Sequence, residues 1–311
     1  MGQKITIMPK IVGQENLKKI FNFHLKPYKK NGVFPTSLLN ASMGEGKTMM
    51  MECLAEELDK RAFVINCSVI RNARDFVESV YLQEMNLGDK YTVIADEFQI
   101  LDKTTQSLLL TLLTPNKAMY NETVYSVNGV PITLKFDLRQ HTFLAATTNV
   151  ESIIAPLKDR FRVYSMEKYS PKDLSEILKR NLETEVFIPE AVLGDLMLYI
   201  RANPRSCVMF AQDVNQYCRG EGVKLFTKKM WIELKDTLSL RLYGLDAMEE
   251  NLLKILNEST SGIRLTHLAA NMRLDNKTVQ NVERYILYHD LMINIDGLRS
   301  LTTKGKDYFN V

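Results

Sequence analysis

The chain has 311 residues, 45% hydrophobic and 25% charged, and a length that favours two or three domains over one core. Its 40 basic and 37 acidic residues leave a net charge of +3, which excludes a polycationic or disordered chain and requires any basic surface to be a local patch. Cys53, Cys67, Cys207 and Cys218 show no C-x-x-C pairing and no apolar run reaches the roughly 20 residues that span a bilayer, so a disulfide framework, a zinc cluster and a membrane helix are excluded and a cytoplasmic setting is expected.

Between residues 33 and 165, short β-type runs alternate with helical patterns, as parallel strands with crossover helices do. "VFPTSLLNA" predicts one strand, followed by a helix from Lys47 through "MMMECLAEELDKR". "AFVINCS", "YTVIADE" and "HTFLAATTN" predict three more strands. Each ends in polar or small residues, at the edge where open α/β sheets bind ligands. The segment 122–136, "ETVYSVNGVPITLKF", predicts a hairpin turning at Asn128-Gly129. Pro131 cannot donate to a ladder, so this hairpin is expected to protrude, with an apolar tip from Val127 to Pro131.

From Tyr169 the pattern turns helical. Ser170-Pro171 and Asn203-Pro204 each read as an N-cap followed by proline at the first helical position. Residues 241–311 then give a helix, a short helix, a longer helix and a ribbon turning at Asp296-Gly297, which is winged-helix order. The expected domains are 1–168, an α/β domain with a parallel sheet; 169–240, a small helical lid; and 241–311, a winged helix.

"ASMGEGKT", residues 41–48, is a phosphate-binding loop with Ala41 in place of the leading glycine. In such a loop successive backbone N–H groups converge on phosphate and the following helix adds its dipole. Gly44 and Gly46 supply the positive φ and close approach that the turn needs. Met43, Gly44, Glu45, Gly46, Lys47, Thr48 and Met49 would therefore cradle a nucleotide, with Lys47 along its phosphates and the Thr48 hydroxyl on Mg²⁺. Ala41 is nearly neutral if its φ is negative and costs roughly 1 kcal/mol if not. Asp96-Glu97 end a buried strand, where two carboxylates are odd unless something charged meets them; beside an ordinary exposed acidic strand end, the functional reading has Asp96 orienting Mg²⁺ through water and Glu97 polarising the attacking water. Thr148, at the end of "LAATTN", would hydrogen-bond the terminal phosphate or that water.

With these pieces in order, the sequence resembles the AAA+ ATPases and, within them, the RuvB family of Holliday junction branch-migration motors. "IVGQENLKKI", "IADEFQIL", "LAATTNVESIIAPLKDRF", "YSPKDLSEI", "NPRS" and "LYGLDAMEENLLKIL" carry the resemblance almost end to end. It implies that Ile11, Val12 and Tyr169 flank adenine, that Thr148 is sensor 1, that Arg160 is an arginine finger reaching the neighbouring subunit, and that Pro204-Arg205 carry sensor 2. Lys158 stands where the family has a further arginine, and lysine lacks its planar fork. The family's Arg-Pro lead-in, leading loop glycine and loop prolines are absent. The resemblance also implies ATP and Mg²⁺, a ring of six subunits, and a RuvA-like or other partner at the hairpin. On the winged helix, Lys277, Arg284, Arg299, Lys304 and Lys306 are the expected phosphate contacts to DNA.

Three functions fit these residues. The first is an ATP-driven ring translocating duplex DNA during branch migration. The second is a loader or replication adaptor using ATP as an assembly switch, and the third a winged-helix regulator with a vestigial ATPase. Loop, paired acids, both sensors and finger are all present, which favours the first.

Overall fold

The computed structural model describes residues 7–85, 89–114, 119–259 and 261–310. The chain divides into two compact units, Met1–Asp173 and Leu174–Val311.

In the first unit, α1 (Glu15–Asn31) leads into β1 (Ser37–Asn40), α2 (Lys47–Leu58) and β2 (Arg61–Asn66). A short α3 (Ala73–Phe76) runs on as a π-helical stretch, Val77–Met85, before β3 (Tyr91–Asp96) and α4 (Lys103–Leu113). The hairpin β4 (Tyr120–Val127) and β5 (Val130–Asp137) precedes β6 (Thr142–Thr147), α5 (Ala155–Lys158) and β7 (Arg162–Ser165). The five-stranded sheet has the order β2-β3-β6-β1-β7 and every neighbour is parallel. Strands buried on both faces read as continuous apolar runs, which is why β1, β3 and β6 were legible in the sequence. Alternate side chains enter opposite cores: Leu38, Val93, Phe143 and Ala145 face α3, α4 and the hairpin, whereas Leu39, Ile94 and Leu144 face α1 and α2.

β7 is a strand that the sequence pattern misses. It is a four-residue edge strand whose residues are mostly exposed, so no apolar run marks it. The hairpin turns where expected, with Asn128 and Gly129 at φ 51° and 81°. Its register, Val127↔Val130, turns Val127 into the core at 8% exposure. The apolar tip is therefore corrected: Val124 (65% exposed) and Val130 (61%) face outward, and Val127 does not.

The second unit takes in α6 (Pro171–Arg180) from Leu174 onward, then α7 (Glu190–Leu196), α8 (Pro204–Glu221) and α9 (Lys228–Thr237). The Asn203 side chain accepts from Ser206 N, capping α8 as its sequence predicts. The winged helix follows: α10 (Ala247–Glu258), β8 (Ile263–Arg264), α11 (Leu265–Met272), α12 (Asn276–Tyr288), β9 (Met292–Ile295), β10 (Leu298–Leu301) and α13 (Thr303–Asp307). Its sheet has the order β8-β10-β9. Within this unit Arg201 joins the helical segment to the winged helix, donating to both Glu249 oxygens at 2.9 Å and lying 3.5 Å from the Tyr285 ring centroid.

Candidate nucleotide site and nucleic-acid interface

The loop leaves β1 in the middle of the sheet and returns as α2, so its amides and the α2 N-terminus converge at the carboxyl edge. Gly44 and Gly46 have φ 82° and 86°, a conformation only glycine adopts cheaply. Ala41 is not among the residues with positive φ. Its N–H donates to the Thr147 carbonyl at 3.2 Å, continuing the sheet pairing into the loop. The lost glycine therefore carries no backbone penalty here.

The Lys47 ammonium donates to the carbonyls of Ala41 and Ser42, 3.0 Å each, which holds it at the mouth of the loop. The Thr48 hydroxyl donates to Asp96 Oδ2 at 2.5 Å, tying the start of α2 to the end of β3. Asp96 Oδ1 accepts from the Glu97 backbone at 2.8 Å. Glu97 has φ 54°, an uncommon conformation for a residue with a Cβ and one that clusters at functional sites. Beneath the acids the Cys67 thiol is pushed up to about 12, by burial and then by Asp96 and Glu97, so it is an inert packing group.

Tyr169 lies over the loop, its hydroxyl donating to the Glu45 carbonyl at 3.2 Å, and burial pushes that phenol up to about 12. Burial also raises the Glu45 carboxyl, against the pull of Lys47 and Lys168. Ile11 is buried among the residues packed on α1 and α2, and Val12 is partly buried beside it. Met43 and Met49 are exposed at 69% and 46%, flanking the loop with apolar surface open to solvent. Thr148 follows β6 next to β3, bringing it to the same edge as the loop and the acids.

One residue at this edge has no motif to announce it. The Gln99 amide bridges Glu97 to Thr147 and Thr148. A polar side chain two positions after paired acids is the only trace of it in the sequence.

Arg160 is placed elsewhere. Arg162 pairs with Ser37 at the start of β1, while the loop leaves Asn40 at its end. Arg160 and the loop thus stand at opposite ends of a strand about 10 Å long. Its Nε donates to Thr114 Oγ1 at 3.0 Å, and it lines a cavity of about 300 Å³ with Phe34, Leu138 and Arg162. Lys158 pairs with Glu151 at 3.3 Å. Pro204 and Arg205 open α8 in the second unit, with Arg205 exposed.

On the winged helix, Lys277 and Arg284 are exposed on α12 with Gln280 and Asn281 between them. Arg299 is a correction. It is 5% exposed and donates to both Glu283 oxygens, at 2.9 and 3.1 Å, so it is an internal ion pair and not a phosphate contact. The outward apolar residues of the ribbon are Ile293, Ile295 and Leu298. Lys304 and Lys306 are exposed, with the Lys304 amine donating to the His289 carbonyl at 2.8 Å.

Comparison with known proteins decides the family. The model described as the Holliday junction DNA helicase RuvB P-loop domain matches residues 4–166, and the RuvB C-terminal winged helix domain matches residues 242–310. The chain belongs to the RuvB family. The Mycoplasmopsis pulmonis RuvB subunit of the Holliday junction branch migration complex is 23% identical over 318 residues, covering 99% of both chains. The same subunit from Lactobacillus johnsonii is 26% identical, covering 96% of this chain and 88% of its own. In fold, the Thermotoga maritima RuvB Holliday junction branch migration motor superposes with a TM-score of 0.77 at 23% identity, over 97% of this chain and 96% of that one.

Mg²⁺ fits the observed donors. Among the described residues no three His, Cys, Asp or Glu side chains converge into a metal cage. The oxygens of Thr48 and Asp96, side by side at the loop, are instead the sparse hard set that a phosphate-bound Mg²⁺ uses.

Proposed function

We propose that this RuvB family member is a ring-forming ATPase that translocates duplex DNA and drives branch migration of four-way junctions. The observation that carries this reading is the Thr48–Asp96 contact, with Glu97 next in the chain, at the edge where the glycine-rich loop opens.

In the cycle Lys47 exchanges its two loop carbonyls for the β- and γ-phosphates of ATP, and the loop amides hold the remaining charge. Thr48 directly and Asp96 through water would hold Mg²⁺, which when bound would neutralise charge on the phosphates. Glu97 orients and polarises the attacking water, and Thr148 meets the terminal phosphate. Ile11, Val12 and Tyr169 flank the base, and Pro204 and Arg205 keep the sensor 2 role that the family resemblance gives them. Because Arg160 lies at the far end of the sheet from its own loop, it serves the site of an adjacent subunit, so hydrolysis requires a ring, which we take to be a hexamer. Lys277, Arg284 and Lys304 neutralise DNA phosphates, reading backbone rather than bases as a translocating motor must. The outward Val124 and Val130 of the hairpin are the docking point for a RuvA-like partner. No described helix is long and apolar enough to cross a membrane, and the four buried thiols suit a reducing cytoplasm.

The test is ATP hydrolysis with and without duplex DNA. Wild-type protein should hydrolyse ATP faster with DNA, and Lys47→Ala and Glu97→Gln should abolish turnover. Hydrolysis that survives both substitutions contradicts the assignment.

A further inference from the structure

We propose that Gln99 is a positioning residue for hydrolysis: through one amide it fixes the Glu97 carboxylate to the end of β6, so that the residue polarising water and the residue meeting the terminal phosphate move together. This rests on the reading of Glu97 and Thr148 given above.

The direction of the amide follows from its partners. The backbone N–H of Thr148 can only donate, so the Gln99 oxygen must face it, at 3.2 Å. The Thr147 hydroxyl donates to the same oxygen at 2.8 Å. The amide nitrogen is thereby turned to Glu97, where it donates to Oε2. A carboxylate held at Oε2 loses much of its rotational freedom, which narrows the directions open to Oε1.

Glu97 gains this restraint where its backbone needs one. At φ 54° it sits at a sharp turn between β3 and the 3₁₀ turn Phe98–Ile100, and its own N–H is taken by Asp96. The strand end on the other side is rigid as well. Thr147 is fully buried, and its hydroxyl lies 3.1 Å from the Asn149 N–H that donates to it. Gln99 thus spans two fixed points, and an acceptor and a donor at opposite ends of one planar group are what the span requires.

The experiment compares two near-isosteric variants of the full-length protein. Gln99→Met keeps the bulk and removes both halves of the bridge. Gln99→Glu keeps an acceptor for Thr147 and Thr148 but replaces the donor to Glu97 with a like charge. We expect DNA-stimulated kcat to fall about a hundredfold in both, as misplacement of a reacting group by an ångström does. KM for ATP and Kd for a non-hydrolysable ATP analogue should stay within about twofold, since an interaction used only in the transition state leaves ground-state binding alone. Melting temperature should be retained. A Gln99→Met protein with wild-type kcat overturns the proposal, as does a kcat loss matched by equal losses of nucleotide affinity and melting temperature. Wild-type hydrolysis abolished by Lys47→Ala, together with an indifferent Gln99→Met, removes this inference alone. Absence of wild-type hydrolysis removes the functional reading and this proposal with it.

Discussion

The Thr48 hydroxyl donates to the Asp96 carboxylate across 2.5 Å, so the start of α2 and the end of β3 meet at one point on the sheet edge. In this parallel sheet the crossover helices return every strand in the same direction, so the carboxyl ends of β1 and β3 lie on one edge and residues far apart in sequence meet there. The contact predicts a metal-dependence phenotype. Asp96→Asn should weaken apparent Mg²⁺ affinity about 10–100-fold, the usual loss when a partner orienting a metal ligand is removed. A Mg²⁺ titration of ATPase activity checks this, and chelation by EDTA should stop turnover in the wild type.

Arg160 should act across subunits. Arg160→Ala should lower kcat about 10³–10⁵-fold, the range of arginine fingers, with nucleotide affinity unchanged. Mixing Arg160→Ala with Glu97→Gln protein should restore part of the activity, because some interfaces then pair an intact Glu97 with an intact Arg160. Mixtures that stay inactive argue against action in trans.

Arg299 and the exposed cations should behave oppositely. Removing Arg299 leaves the Glu283 carboxylate buried at 6% exposure without its partner, which should cost about 3–5 kcal/mol of stability. Lys277→Ala and Arg284→Ala should leave melting unchanged and each reduce the slope of log affinity for DNA against log salt by about 1. Melting curves and salt-dependent anisotropy titrations separate the two classes.

Much of this was legible in sequence, and the exceptions have physical reasons. Buried strands and glycine-bearing loops leave strong marks, because continuous apolar runs and positive φ constrain residue type directly. The edge strand β7, the buried direction of Val127 and the inward turn of Arg299 leave none. A four-residue strand that is mostly exposed looks like loop, and a cation beside an Asp-Gly turn looks like surface until Glu283, on another element, is seen to face it. Gln99 was invisible for a related reason: its three partners come from two strand ends. Ala41 was legible as a departure, and only its backbone conformation and its bond to Thr147 show why the loop tolerates it.

His141 predicts acid sensitivity. Its ring stacks on Tyr91 with centroids 3.8 Å apart, and its Nδ1 is buried without a hydrogen-bond partner among the described residues. Burial, then Lys60, lowers its pKa to about 4, with Asp137 opposing. A histidine depressed in the folded state binds a proton more readily unfolded. Its contribution is therefore present above about pH 6.5 and is lost as pH falls toward 4, by at most about 3 kcal/mol. His141→Gln should flatten the fall in melting temperature across that window, and an unchanged profile would assign the sensitivity elsewhere.

The measurement that bears most directly on the motor assignment is unwinding of a labelled synthetic four-way junction, with ATP and Mg²⁺, with and without a RuvA-type partner. Wild-type protein should convert the junction to duplex arms in an ATP-dependent way, and Glu97→Gln should leave it intact. Wild-type protein that hydrolyses ATP yet leaves the junction intact under both conditions contradicts the assignment.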